Sequence, residues 1–329
     1  ATLSQQNYNK PIILSHQDTV SRRIANAFAK QWHIMTDNTL EIVYFEKANG
    51  GKSSALNLAL QHVTGDYIWV FDDDDVAFPD ALERHIQALE ADSTIDFTYS
   101  SYCQATSNKD SSIKPGLDVK TPNVVPDQAL VRMLENCFMI QQSMLVRSPA
   151  FFDTAPYDLR LIRSQDYDFL LRLNKKYRGI MIKGPTFYRR YHSGIRGSNT
   201  DLIDNTDINK KWFEYEKIAI KKQYTSLELK DYLYKDTPYT KDKKQLALIQ
   251  RASILALKGL WNEFCLELKS IQKNYSDNLS TALNKDENTV CQKPLSNSCS
   301  VIDLLNNQQN YNKVLRHITS INIPGFRLA

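Results

Sequence analysis

The sequence predicts an α/β fold followed by an all-helical region, on three observations. From Pro11 to about Thr200, short apolar runs alternate with amphipathic stretches, the pattern of strands and helices built around a sheet. The clearest strand, Asp66-Tyr-Ile-Trp-Val-Phe71, runs directly into four consecutive aspartates, Asp72 to Asp75. After Asn199 the texture changes, and residues 201–275 carry long helical periodicity with almost no β-branched runs. A boundary near residue 200 follows, with a first domain over 1–200 and a helical C-terminal region over 201–329.

Taken in order, Ile42-Val-Tyr-Phe45 reads as a strand running into the turn Asn49-Gly50-Gly51. Ser53 is placed to cap a helix through Gln61. The strand over 66–71 follows, then Pro79 to Leu89 at helical spacing, with the proline near the first turn, where it is tolerated. Residues 104–127, rich in Ser, Lys, Asp and Pro, read as a long loop of the kind that serves as a lid. Met139 to Arg147 reads as a strand. Ser164 to Lys176 reads as a helix whose acidic first turn suits the positive end of its dipole. In the C-terminal region, 276–300 is Ser/Asn/Lys-rich and linker-like, and a last helix is expected over 301–318.

Composition narrows the function classes. With 42% hydrophobic and 24% charged residues, the 329-residue chain is that of an ordinary globular protein with room for two cores. No apolar run approaches the roughly 18 residues of a bilayer span, and Ala1 to Lys10 is polar, so a cytoplasmic location is the default expectation. The five cysteines are scattered without Cys-x-x-Cys spacing and read as reduced thiols. A formal charge of +4 is too small to imply nucleic acid. Lysines crowd the stretch from Lys210 to Lys273, which reads first as a solvated helical face and second as a peripheral contact for anionic headgroups.

The chemistry concentrates at Asp72-Asp73-Asp74-Asp75. Acidic runs are most often solvated surface, but this one follows a buried-looking strand, and ligands in open α/β sheets bind at the carboxyl ends of strands. Four like charges there repel unless a cation sits among them, and hard carboxylate oxygens suit Mg²⁺ or Mn²⁺. A calcium-binding EF-hand loop counted from Asp72 would put Glu83 at its twelfth position, but Ala77 stands where glycine is required. Gly51-Lys52-Ser53 ends like a P-loop, yet Glu46 occupies the position of that motif's first glycine. Asp168 and Arg172, four apart, read as an ion pair on a helix surface.

Together these segments resemble the family 2 inverting glycosyltransferases. Asn49-Gly-Gly-Lys-Ser-Ser-Ala-Leu-Asn57, then Thr64-Gly-Asp-Tyr-Ile-Trp-Val-Phe-Asp-Asp-Asp-Asp75, then Pro79 is similar to that family's Gly-rich turn, strand and Asp-x-Asp motif in their usual order. Ser164-Gln-Asp-Tyr-Asp-Phe-Leu-Leu-Arg172 is similar to its Glu-Asp segment, with Gln165 standing where the family has Glu. Tyr188-Arg-Arg-Tyr-His192 is similar to its late Tyr-Arg-x-His element. The resemblance covers about residues 45–198. The family's second strand, which ends in an acidic residue that reads the nucleobase, has no clear counterpart, and Asp37 lies just beyond its place.

The resemblance implies a GT-A fold, a Rossmann-like mixed sheet with flanking helices that binds a nucleotide sugar. It implies a metal-dependent transfer from a nucleoside-diphosphate sugar, a uridine diphosphate sugar first among them, to a hydroxyl of a glycan or lipid-linked acceptor. On that reading Asp74 and His192 hold the metal, Mn²⁺ or Mg²⁺, and Asp166 is the general base. Asp72, Asp73, Lys52, Asn57 and Arg196 contact the donor. Two other classes remain open at this point: a catalytically silent glycosyltransferase-like binding module, and a metal-dependent nucleotidyl or phosphoryl transferase.

Overall fold

The computed structural model describes residues 12–15, 42–45, 47, 50–108, 112–191, 208–275, 285–296 and 298–320. The chain forms two compact units, one of residues 1–126 with 138–202 and the other of residues 127–137 with 203–329.

In the first unit, β1 (Ile12–Ser15) and β2 (Ile42–Phe45) pair in parallel, Ile12 opposite Ile42. Helix α1 (Gly51–Leu60) follows the glycine turn. The other strands are β3 (Tyr67–Ile68), β4 (Val76–Ala77), β5 (Phe97–Ser107), β6 (Ile113–Val119), β7 (Met144–Arg147) and β8 (Gly179–Tyr191). They form a mixed sheet in the order β3-β7-β5-β8-β4, with β6 paired to β5. β5 runs antiparallel to β7 and parallel to β8. The helices between them are α2 (Ala81–Ala91), α4 (Ser148–Thr154) and α5 (Gln165–Lys176), in addition to α3 (Ala129–Glu135), which belongs to the second unit.

At β7 both faces of the sheet are covered. Leu145 packs with Leu89 of α2 and with Ile95. Its neighbours Met144 and Val146 face the other way, towards Phe151 of α4 and Phe169 and Leu170 of α5. Successive strand residues point to opposite faces, so the consecutive apolar residues Met144, Leu145 and Val146 need a layer on each side. Gly179, at the start of β8, lies so close to Phe97 that a Cβ there would stand 2.0 Å from its ring. Only glycine lets β5 and β8 pair at that point.

His85 on α2 is fully buried, with Nδ1 2.8 Å from Thr98 Oγ1 of β5. Burial, aided by the nearby Arg84 charge, pushes its pKa down to about 3 from the ordinary 6.5. The unfolded chain therefore takes up the proton first. The contribution of His85 to stability is full above pH 6.5 and is lost as the pH falls towards 3, by up to on the order of 5 kcal/mol at the acid end. Urea denaturation at stepped pH should show that slope, and His85→Gln should flatten it.

Several expectations change. Residues 104–127 are not a loop throughout: β5 continues to Ser107, and with β6 it makes an antiparallel hairpin closed by the Asn108 N–H on the Ser112 carbonyl at 2.9 Å. β6 is largely exposed, so it carries no apolar alternation to read. Of 66–71 only Tyr67 and Ile68 are laddered, opposite Arg147 and Val146 of β7. The strand expected over 139–147 is a 3₁₀ turn, Gln141–Ser143, followed by β7.

The second unit holds helices α6 (Ile208–Ser226), α7 (Lys241–Leu257), α8 (Trp261–Tyr275), α9 (Lys285–Gln292), α10 (Ser298–Asn306) and α11 (Gln308–Ser320). Two of these lie in the stretch read as a single last helix, and α9 lies within the stretch read as a linker. The core along α7 and α8 includes Ile249, Ala252, Phe264 and Ile271. Arg251 donates to Glu267 at 2.8 Å and lies over the rings of Tyr224 and Tyr232. Helix α3 joins this unit although its residues precede the expected boundary. Its Glu135 accepts from Gln250 at 2.7 Å and from Lys293. No helix among the described residues is long and apolar enough to cross a membrane.

Candidate active site

The aspartate run is a tight turn fastened to β8. The Asp75 N–H reaches the Asp72 carbonyl at 3.3 Å, β4 pairs with β8 at Val76–Tyr188, and Arg190 of β8 donates its side-chain Nε to the Asp74 carbonyl. The Arg190 N–H donates to the Asp75 carboxylate at 2.9 Å. This folding brings carboxylate oxygens of Asp72, Asp74 and Asp75 within 4.8 Å of one another, while Asp73 is exposed and lies outside the group. Asp75, given no role of its own by the sequence, thus stands where three carboxylates converge. Burial, reinforced by the adjacent Asp74 and Asp72 charges, pushes its pKa up to about 6.

Lys52 meets this cluster from α1. Gly51 adopts a φ of 78°, left-handed backbone that favours glycine, and turns the chain so that Lys52 stands in the first turn of the helix. Its Nζ lies 2.5 Å from Asp72 Oδ1. Burial works against the ammonium, but Asp72, Asp166 and Asp74 outweigh it and hold the Lys52 pKa above its ordinary value. The other oxygen of Asp72 accepts from Gln142 Nε2 at 2.5 Å.

Helix α1 also organises the approach to Asp166. Both ends of the Asn57 amide engage the main chain of Tyr157, donating to its carbonyl at 2.9 Å and accepting its N–H at 2.8 Å. Ser53, expected to cap α1, instead donates to the Leu161 carbonyl at 3.4 Å, and the helix has no side-chain cap. The Tyr157 ring stacks on Phe169 of α5 at 4.8 Å. The segment then passes through Ser164, buried at a left-handed φ of 54°, a strained backbone for a residue with a Cβ. That kink ends the loop and starts α5 at Gln165, so Asp166 lies in the first turn, its Oδ1 accepting the Tyr167 N–H at 2.9 Å. Gln165 is buried, and its Oε1 has no hydrogen-bond partner among the described residues.

Asp168 and Arg172 are not the surface pair expected. Asp168 is fully buried and its carboxylate lies 3.0 Å from Arg172 Nε. Arg172 also donates to the carbonyls of Thr154 and Pro156, tying the end of α4 to α5. α5 faces the interior, with Tyr167, Phe169, Leu170 and Leu171 buried along with Asp168. Arg172→Met should therefore cost about 3–5 kcal/mol in chemical denaturation by leaving a buried carboxylate without its guanidinium. The double replacement Asp168→Leu/Arg172→Met should recover much of that loss, since an apolar pair needs no charge partner.

The arrangement thus unites Asp72, Asp74, Lys52 and Asp166. His192, Arg196 and Asp37 lie outside the described residues. Two contributors escaped the sequence reading. Arg190 lies inside the Tyr188–His192 element, where a signal was present; Gln142, in the 3₁₀ turn just before β7, carries no local signature.

Residues 2–150 match the family described as glycosyl transferase family 2. Over that part the chain is similar to the family 2 glycosyltransferases. Among curated relatives, an uncharacterized glycosyltransferase of Rickettsia felis is 27% identical over 221 residues, 61% of this chain and 35% of that protein. The hyaluronan synthase of Pasteurella multocida is 25% identical over 210 residues, 55% of this chain and 20% of that protein. The chain therefore spans about a third or less of the length of these glycosyltransferases. TarS of S. aureus is similar in structure, with a TM-score of 0.51 and 12% identity over 96% of this chain and 51% of that one. A TarS fragment in complex with UDP-GlcNAc gives a TM-score of 0.50 at 11% identity, covering 95% of this chain and 80% of that one. The likeness shows the fold alone, a GT-A mixed sheet with flanking helices, together with a helical region.

Proposed function

We propose that the glycosyltransferase domain moves a sugar from a nucleoside-diphosphate sugar to a hydroxyl of a glycan or lipid-linked acceptor, with inversion at the anomeric carbon. The observation that carries this reading is the convergence of Asp72, Asp74 and Asp75 within 4.8 Å at the end of the β3 segment. An all-oxygen donor set of this kind fits Mn²⁺ or Mg²⁺. Asp74 would hold the ion, joined by Asp72 or Asp75, and His192 completes the set in the family resemblance. Such an ion supplies Lewis-acid stabilisation to a departing diphosphate.

The chain's own residues do the rest. Lys52, held charged beside Asp72, sits where it can meet donor phosphate, and Asp72 offers its carboxylate to the donor's ribose. Arg196 and Asp73 belong to the same proposed donor set. Asn57 serves the donor site indirectly by fixing the Tyr157 main chain on the way to Asp166. Asp166 takes the proton from the acceptor hydroxyl as that oxygen attacks the anomeric carbon, and the nucleoside diphosphate leaves from the opposite face. A single displacement of this kind inverts the centre. UDP sugars lead the candidate donors, and the UDP-GlcNAc complex of the similarly folded TarS supports that choice. With such an acceptor the protein would work at the inner face of a membrane, with the Lys210–Lys273 stretch towards anionic headgroups.

The test is a panel of UDP and GDP sugars with Mn²⁺, with Mg²⁺ and with chelator, read out as released nucleoside diphosphate. Release from at least one donor, abolished by chelator, is expected. Consumption of nucleoside triphosphate with pyrophosphate release would turn the assignment to nucleotidyl transfer. Donor binding without any turnover would turn it to a silent binding module.

A further inference from the structure

We propose that Gln142 is a positioning residue of the donor site, which fixes the carboxylate of Asp72 without adding charge to the metal cluster; this rests on the donor reading above. The two oxygens of Asp72 are held separately, Oδ1 by Lys52 at 2.5 Å and Oδ2 by Gln142 Nε2 at 2.5 Å. A carboxylate has roughly four acceptor sites, so one bond to each oxygen sets the plane of the group and leaves capacity for a ligand hydroxyl. Lys52 alone would leave the group free to rotate about its single contact. With both contacts it has one orientation.

Gln142 is itself held. Its carbonyl accepts Trp69 Nε1 at 2.7 Å, and Trp69 lies on the segment that leads from β3 into Asp72. The 3₁₀ turn that carries it is closed by Ser143, whose N–H and Oγ reach the Ile140 carbonyl at 3.0 and 2.7 Å. The main chain of Gln142 thus fastens the strand that delivers Asp72, and its side chain fastens the carboxylate. The residue type matters. A second cation here would compete with a metal ion for Asp72, and a carboxylate would repel it; a neutral amide donor does neither.

Calorimetry with UDP in the presence of Mn²⁺, on the full chain, compares the parent with Gln142→Ala and Gln142→Glu. Gln142→Glu keeps length and shape, replaces the donor by an acceptor, and guards against a result caused by lost packing. Both variants should bind UDP at least about tenfold more weakly, the range for a hydrogen bond to a charged group. In turnover, the loss should fall on the donor KM more than on kcat, because an oriented Asp72 acts on donor binding. A role in folding alone would lower the unfolding midpoint and leave that split unmoved. UDP affinity in both variants within twofold of the parent would overturn the assignment of Gln142. Failure of the parent itself to bind UDP or any nucleotide sugar would instead overturn the donor reading, and the Gln142 assignment with it.

Discussion

Asp166→Asn is expected to lower sugar transfer by at least about a hundredfold while leaving donor and metal affinity at their parent values. A positioned general base contributes roughly 10²- to 10⁴-fold, and the amide keeps the shape of the side chain while losing its proton affinity. The helix around it tolerates the change. The Asp166 Oδ1 accepts the Tyr167 N–H, a bond that the Asn oxygen can keep, so the first turn of α5 should stay in place. Loss of the carboxylate also removes one of the charges that raise the Lys52 pKa, but Asp72, the largest favourable contribution, remains. Transfer rate and donor affinity, measured on the same variant, decide the matter. Transfer near the parent rate would place the base elsewhere. Asp168, the next acidic residue of the helix, is fully buried against Arg172, so a replacement base would have to come from outside α5's first two turns. Loss of donor affinity together with transfer would assign Asp166 to the donor site.

Asp74→Ala should abolish Mn²⁺-dependent donor binding and lower transfer by about a hundred- to a thousandfold, the scale for removing one electrostatic stabiliser of a developing charge. The fold should survive, since deleting one of three crowded carboxylates relieves repulsion when no ion is bound. A pH signature distinguishes this from general damage. Asp75 titrates at about 6 in the folded protein against 3.8 ordinarily, with Asp74 among the causes. The folded chain therefore holds the extra proton, so the contribution to stability is full below pH 3.8 and drains away as the pH rises through 6. Burial still raises Asp75 in the variant, but the Asp74 part is gone, so the drain should shrink. This slope is opposite in sign to that of His85, and stepped-pH denaturation separates them. Unchanged Mn²⁺-dependent donor affinity in Asp74→Ala would remove the metal role from this residue.

Local, short-range features were legible in the chain alone. The glycine turn before Lys52, the strand leading into Asp72, and the acidic first turn carrying Asp166 are each contiguous, and each is set by backbone preference or by period. Helix α5 was expected over 164–176 and begins one residue later because Ser164 takes left-handed backbone, which no propensity rule for serine announces. The family resemblance extended this legibility to the fold class, through motifs that are themselves contiguous.

Which groups lie side by side was settled by packing. The hairpin of β5 and β6 was illegible because an exposed edge strand buries too little of either face to impose apolar alternation, and Pro115 within it is tolerated only at such an edge. Asp168 and Arg172 have the spacing of a surface pair, and spacing cannot say which way a helix face turns; packing of Phe169 and Leu170 against β7 turned this one inward. Asp75, and not Asp73, joins Asp72 and Asp74 because the run folds as a turn pinned by Arg190, a contact spanning more than a hundred residues of sequence. Gln142 reaches Asp72 across a separation of 70 positions, and Lys52 across 20. Contacts of that range depend on how the sheet orders its strands, an arrangement fixed by burial of both faces and not by any local pattern in the chain.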